Sequence, residues 1–338
     1  MLRNEKIILM NPKTIRSSFL LFPIAVLLNF STPEKPVITS APKDLSGKIT
    51  MSGAYALYPM AVRWGEEFKK LHPNVSFDIQ GGGAGKGMTD ALSGSVNFGM
   101  VSREISPEEV TKGAYGIAVC KDAVIPDINP NNPYLALIKQ KGITKQQFYK
   151  IFISGEITTW GQLLGNKSNK PIKVFTRSDA AGAGESWAKF MGNYKQEDLL
   201  GTGVFGDPGL AQAVAKDPLA MGYNNINFVY DNKSRQPQPG LVPCPIDLNG
   251  NGTYDANENV YSSLDAIDDA ILSGAFPSPP ARALYLVTKG KPTDPLLVNF
   301  LQWVLADGQK FLDEAGFVKL PADLLKKEST ALGTVKAN

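Results

Sequence analysis

With 338 residues, 43% of them hydrophobic and 20% charged, the chain is long enough for two lobes with separate cores and has an ordinary globular composition. Its formal charge of +3 resides in the first 30 residues, where Arg3, Lys6, Lys13 and Arg16 outnumber Glu5, so the remainder is near neutral and nothing calls for nucleic acid as a partner. The single histidine, His72 in KKLHPN, reads as a helix-terminal residue; it leaves no His-based zinc cluster and little room for a Ser-His-Asp hydrolase.

The early cations precede Phe19 to Phe30, an apolar run of 12 residues followed by polar, proline-containing sequence. Such a run is too short to span a bilayer and reads as the core of a secretory signal, with a short buried helix as the competing reading. Cleavage is placed between Phe30 and Pro36, so residues 1–35 are expected to be signal and leader and the mature protein periplasmic or extracellular. No cysteine follows the run to carry a lipid. Cys120 and Cys244 are the only cysteines, and their 124-residue separation is weak evidence for a disulfide.

Strand-like and helix-like segments then alternate. Lys48 to Ser52 is a predicted strand, and Pro59 to Leu71 a helix with Trp64, Phe68 and Leu71 on one face. Val75 to Ile79 is a strand, followed by the turn Gly81 to Gly87 with a short helix through Leu92, then the strand Val96 to Met100. This βαβαβ order implies parallel pairing. Tyr115 to Val119 and Val124 to Ile128 are two further strands leading into DINPNNP, a composition break of the kind that marks a crossing between lobes. Beyond it come helices near Thr144 to Phe152, Gly184 to Met191, Leu210 to Ala215 and Ser262 to Leu272, and strands at Ile172 to Thr176, Ala220 to Tyr223 and Ala283 to Thr288. A long helix over Asp294 to Ala315 follows.

The most informative stretch is Ile172 to Trp187, IKVFTRSDAAGAGESW. A short strand runs into Arg177 and Asp179 and then into small residues that open a helix, whose first-turn N–H groups have no intrahelical partners. Arg177 adds a planar fork of donors suited to a tetrahedral oxyanion; a glycine-rich strand-to-helix turn with a surface salt bridge between Arg177 and Asp179 is the competing reading. Three more turns follow predicted parallel strands, where open α/β sheets bind ligands: Ser52 to Leu57, Gly81 to Gly87, and Ser102-Arg103. The Gly81 turn is not a nucleotide P-loop, because Gln80 stands where its first glycine belongs and Gly87 replaces the hydroxyl residue that would hold magnesium.

In order along the chain, SGAYALYP, FDIQGGGAGKGM, NFGMVSREI, ISGEITTWGQL, VFTRSDAAGAGESWAKF, LAMGY and ARALYLVTKG resemble the phosphate-binding protein of bacterial phosphate ABC importers, over residues 47 to 320. The resemblance implies an α/β fold of the type II periplasmic binding protein class, two lobes joined by two crossing strands with the ligand in the cleft. On this chain lobe 1 would take residues 46–123 plus 284–338 and lobe 2 residues 124–283. It further implies anion contacts at Tyr55, Ala56, Ala84, Gly85, Ser102, Arg177, Asp179, Ala181, Gly182 and Ala183. The family usually has a hydroxyl residue where this chain has Ala84, Ala181 and Ala183, and a small hydroxyl residue at Tyr55. Backbone N–H groups at Ala56, Leu57, Gly85, Gly182 and Ala183 remain, and Tyr55, Ser52, Lys86, Arg103 or Ser186 could refill donor positions. Asp179 is expected to orient Arg177, and Glu185 to orient Lys86 or Arg103.

A separate pattern lies in DLNGNGTYDANE. Asp247, Asn249, Asn251, Thr253, Asp255 and Glu258 occupy positions 1, 3, 5, 7, 9 and 12 of an EF-hand loop, with Gly252 at the sixth. The preceding VPCPI is not helical, so residues 247–258 read as a calcium loop grafted into lobe 2, binding a structural Ca²⁺ with Kd of about 10⁻⁴ to 10⁻³ M. A polar surface loop is the competing reading. The sequence therefore predicts a monomeric extracytoplasmic solute-binding protein, not an enzyme and without organic cofactor. It would deliver phosphate or a similar oxyanion to an ABC permease; a sensor or adhesion module of the same fold is the alternative.

Overall fold

The computed structural model describes residues 45–333; the signal and leader expected at residues 1–35 and the last five residues lie outside them. Among the described residues the strands are β1 (Gly47–Gly53), β2 (Val75–Gly81), β3 (Phe98–Val101), β4 (Ala114–Ile128), β5 (Ile143–Thr144), β6 (Lys173–Arg177), β7 (Thr202–Val204), β8 (Ala220–Asn225), β9 (Val242–Pro243), β10 (Ile246–Asp247) and β11 (Ala281–Lys289). The main sheet runs β2-β1-β3-β11-β4-β8-β6-β7, with β9 also on β4, while β5 and β10 pair separately. β1 pairs in parallel with β2 and β3, as the βαβαβ order implies, and β6 pairs in parallel with β7 and β8. The antiparallel strands β4 and β11 join these two groups.

β4 is one strand of 15 residues where two were predicted, because the polar Lys121-Asp122 step that breaks the apolar run keeps its backbone pairing. The lobes meet inside it. Cys120 packs with the apolar residues of β1 to β3, and Ala123 with the apolar residues around Trp187 and Tyr223. On β11 the same change falls between Ala281 and Leu284. The crossing thus precedes DINPNNP. That stretch instead forms a turn in which Asn129 donates to the Val214 and Ala215 carbonyls. Cys120 and Cys244 are buried and free, one in each apolar cluster.

In the first cluster the helix Tyr58–Leu71 starts with Pro59 and buries Trp64 and Phe68. Leu71, expected on that face, is exposed, because the helix ends beneath it at His72. The His72 amide donates to the Phe68 carbonyl and its ring lies 4.6 Å from that of Phe68. The long helix expected over Asp294 to Ala315 breaks at Ala306, leaving an α-helix at Pro295–Leu305 and a 3₁₀ segment at Asp307–Phe311. The Trp64 indole holds the break by donating to the Gly308 carbonyl at 2.9 Å.

The second cluster centres on Trp187, which stacks on Phe190 and Tyr223 and meets Phe148 and Phe152 edge-on. Trp187 belongs to the helix Gly182–Met191, so this packing fixes the helix whose first turn faces the other lobe. No described helix is long and apolar enough to cross a membrane.

Candidate functional site

The four glycine- and arginine-bearing turns emerge at the ends of β1, β2, β3 and β6 and meet one another. Gly85, in the first turn of the helix Ala84–Ser93, donates its amide to the Ala180 carbonyl of the other lobe at 3.0 Å. A methyl group placed on Gly182 would fall 2.2 Å from the Ser102 hydroxyl, so only glycine permits this approach of the helix to the end of β3. The Tyr55 ring spans the lobes, lying 5.8 Å from the Arg177 guanidinium and edge-on to Phe205. Gly87 has a packing cause as well: a Cβ there would sit 2.3 Å from the Met100 carbonyl oxygen, which excludes the serine or threonine of a P-loop.

Arg177 is the buried centre of the site, its side chain 2% exposed. Nε donates to Asp179 Oδ1 at 2.8 Å and Nη2 to Asp179 Oδ2 at 2.5 Å, the bidentate fork expected of that pair. Nη1 donates to Asp207 Oδ2 at 2.6 Å. Burial alone would lower the guanidinium pKa, but Asp207 and Asp179 outweigh it and raise the pKa above its ordinary value. Burial and then the Asp179 charge raise the Tyr55 phenol.

The amides of Tyr55, Ala56, Ala84, Gly182 and Ala183 donate to no acceptor among the described residues. Three other residues expected at the site have engaged amides. Gly85 donates to Ala180, the Leu57 amide to the Ala54 carbonyl at 3.1 Å, and the Ala181 amide to Gln196 Oε1 at 2.8 Å. The alanines in place of hydroxyl residues also have a packing cause: Ala84 is fully buried in the first apolar cluster and Ala183 1% exposed in the second.

Most of the proposed substitute donors point elsewhere. Arg103 turns away from the site into a bidentate pair with Glu109, at 2.7 and 2.9 Å. Lys86 and the Ser52 hydroxyl both go to Asp90. Glu185 forms no ion pair with Lys86 or Arg103 among the described residues; burial raises its carboxyl pKa, and Arg103 is close enough only to oppose that shift. Ser186 lines a cavity of about 160 Å³ beside the crossing strands, together with Arg103, Glu104 and Arg282.

Asp207, Asn225 and Arg282 escaped the sequence reading. Asp207 sits in the first turn of the helix Gly206–Lys216, and Asn225 ends β8. The available signal was Arg282 itself, a cation inside the otherwise apolar start of β11. Beside it, burial pushes the Asp122 carboxyl up to about 7, against the pull of the Arg282 charge.

In the loop at 247–258, Asp247 and Glu258 are 2% and 4% exposed, and the chain wraps around them. Asp247 accepts from the Gly250 and Gly252 amides at 2.7 and 2.8 Å, and Glu258 Oε1 from those of Leu248 and Asn249 at 2.8 and 3.0 Å. Asn249 and Asn251 each donate to Asp255 Oδ2 at 2.8 Å, and the Asn251 side-chain oxygen accepts from the Thr253 amide. Among the described residues no three His, Cys, Asp or Glu side chains lie close enough to hold a metal by themselves. The loop's donors are oxygens that keep further lone pairs, a chemistry that fits a hard cation.

Two groups of parallel strands, two antiparallel crossing strands and turns that meet between two cores define a type II periplasmic binding protein, with its ligand cleft between two α/β lobes. Residues 39–308 match the PBP superfamily domain, and the chain belongs to that superfamily. Among curated relatives, the phosphate-binding protein PstS of Pseudomonas aeruginosa is 26% identical over 317 residues, covering 86% of this chain and 88% of the relative. Protein SphX of Synechococcus elongatus is 26% identical over 320 residues, covering 91% and 86%. Among solved structures, a candidate phosphate ABC transporter substrate-binding protein of Clostridium perfringens with bound phosphate superposes with a TM-score of 0.66 at 22% identity, over 81% of this chain and all of the other. An ABC-type phosphate transport receptor of Vibrio cholerae gives 0.59 at 20% identity with the same coverage.

Proposed function

We propose that the chain is an extracytoplasmic solute-binding protein that captures phosphate, or a similar tetrahedral oxyanion, between its lobes and delivers it to an ABC permease. The observation that carries this reading is Arg177, buried and braced by two carboxylates where four turns converge, three of them with unpaired amides. The guanidinium supplies charge, and the amides of Tyr55, Ala56, Ala84, Gly182 and Ala183 supply fixed donors without a side-chain entropy cost. The phosphate-binding protein PstS of Pseudomonas aeruginosa and the phosphate-bound protein of Clostridium perfringens support phosphate as the ligand. Asp179 acts through Arg177, and Ser102 closes the site against Gly182. This is a binding protein rather than an enzyme, acting as a monomer after export. The alanines at 84, 181 and 183 give the sensor or adhesion alternative its one argument, since they leave fewer donors for a dehydrated dianion. Isothermal titration of ligand-stripped protein with phosphate, sulfate, arsenate, molybdate and tungstate tests the reading: phosphate is expected to give saturable heat, and no heat with any of them would sink it.

The loop at 247–258 is read as a structural calcium site, with Asp247, Asn249, Asn251, Asp255, Glu258 and the Thr253 carbonyl as its ligands. The EF-hand spacing and the two buried carboxylates support it. At calcium concentrations about tenfold above Kd, one site adds roughly 1.4 kcal/mol. Chelation is therefore expected to lower the melting temperature by about 2 to 5 °C in calorimetry, and an unchanged melting temperature would refute the site.

A further inference from the structure

Arg282 lies where β11 passes between the two apolar clusters, opposite Asp122 of β4 in the sheet register, and it is 8% exposed. Its fork is spread over three partners. Nη1 donates to the Gly182 carbonyl at 2.8 Å, while Nη2 donates to Asn225 Oδ1 and lies 3.4 Å from Asp122 Oδ2. Asn225 in turn donates through Nδ2 to Asp207 Oδ1 at 2.7 Å, and Asp207 Oδ2 accepts from Arg177 Nη1 at 2.6 Å. A hydrogen-bonded chain therefore runs from the crossing strands to both parts of the second-lobe site, the helix start at Gly182 and the guanidinium of Arg177.

A buried guanidinium is a poor choice if packing is all that is needed, since apolar residues of similar volume stabilise such positions as well or better. Neutralising Asp122 needs a charge but no fork. The carbonyl and the side-chain amide are reached from two separate nitrogens of one planar head group, which the single ammonium nitrogen of lysine does not offer.

We propose that Arg282 is a positioning residue that locks the second-lobe half of the anion site to the crossing strands, so that rotation about those strands carries Gly182 onto Ser102. This rests on the reading of the site as a phosphate cradle. Without the lock, the Gly182 and Ala183 amides and Arg177 are held only by their own lobe, and closure no longer brings them to one geometry.

The test titrates inorganic phosphate into the full chain as wild type, as Arg282→Lys, and as the double variant Arg282→Met with Asp122→Asn, and follows urea unfolding and small-angle scattering of each. Arg282→Lys keeps the cation beside Asp122, and the double variant removes both charges together, so at least one is expected to stay folded. Each folded variant is expected to bind phosphate at least tenfold more weakly than wild type and to lack the decrease in radius of gyration expected of wild type with phosphate. A folded variant with Kd within twofold of wild type would overturn the proposal, as would unfolding of both, which would make Arg282 a stability residue. A wild-type chain that binds no phosphate would instead remove the phosphate reading, and the proposal with it.

Discussion

Arg177→Ala is expected to abolish phosphate binding and to destabilise the protein at the same time. In the second lobe's share of the site, the guanidinium is the charge set to receive an anion, and each charge-assisted hydrogen bond is worth on the order of 1.5 to 3 kcal/mol. Losing two such bonds to the ligand costs about 3 kcal/mol or more, at least a hundredfold in Kd. The remaining Asp179 and Asp207 would then repel the incoming anion. They also account for the loss of stability, because their side chains are 6% and 1% exposed and share this one guanidinium. Removing one partner of a buried ionic cluster costs roughly 3 to 5 kcal/mol. Combining Arg177→Met with Asp179→Asn and Asp207→Asn removes the whole cluster and separates the two effects: the melting temperature is expected to recover most of its loss, while titration calorimetry still detects no phosphate binding. Binding by Arg177→Ala within tenfold of wild type would show that the anion does not sit at this guanidinium.

Much of this arrangement is legible in the sequence because local patterns carry it. Apolar strands that end in glycine-rich turns mark β1, β2 and β6, and the βαβαβ order sets the parallel pairing of β1 with β2 and β3. Arg177 and Asp179 stand two residues apart, so their pairing follows from proximity in the chain. Asp207, Asn225 and Arg282 reach the same cluster from 30, 48 and 105 residues further on, and nothing in their own segments announces the meeting. The engaged amides were hidden for a related reason: the Gly85 bond to Ala180 forms across the lobes, and the Ala181 bond uses a glutamine 15 residues away. Lys121 and Asp122 misled the reading of β4 because a polar pair in an apolar run normally marks a turn. Here the backbone stays extended, with the Lys121 amide and carbonyl bonded to Val318 and Asp122 beside Arg282.

Gly182→Ala is expected to separate closure from folding. The backbone of Gly182 is ordinary helix, and alanine is the better helix former by up to about 1 kcal/mol, so within its own lobe the substitution should be neutral or mildly stabilising. Across the cleft it is obstructed. The added Cβ would lie 2.2 Å from the Ser102 hydroxyl, 2.4 Å from its carbonyl oxygen and 2.7 Å from its carbonyl carbon. Rotating the serine side chain relieves only the first of these contacts. The carbonyl belongs to the chain leaving β3, whose four residues are all buried, so relief requires the two lobes to part by about 1 Å, given normal carbon–oxygen contacts. Charge-assisted hydrogen bonds weaken steeply over such a distance, because donors on both lobes must reach one small anion. The variant is therefore expected to melt within a few degrees of wild type, to bind phosphate about a hundredfold more weakly, and to show no compaction by small-angle scattering at saturating phosphate. Full compaction with unchanged Kd would mean that the Gly182 contact with Ser102 does not govern closure, and that the working cleft closes along another path.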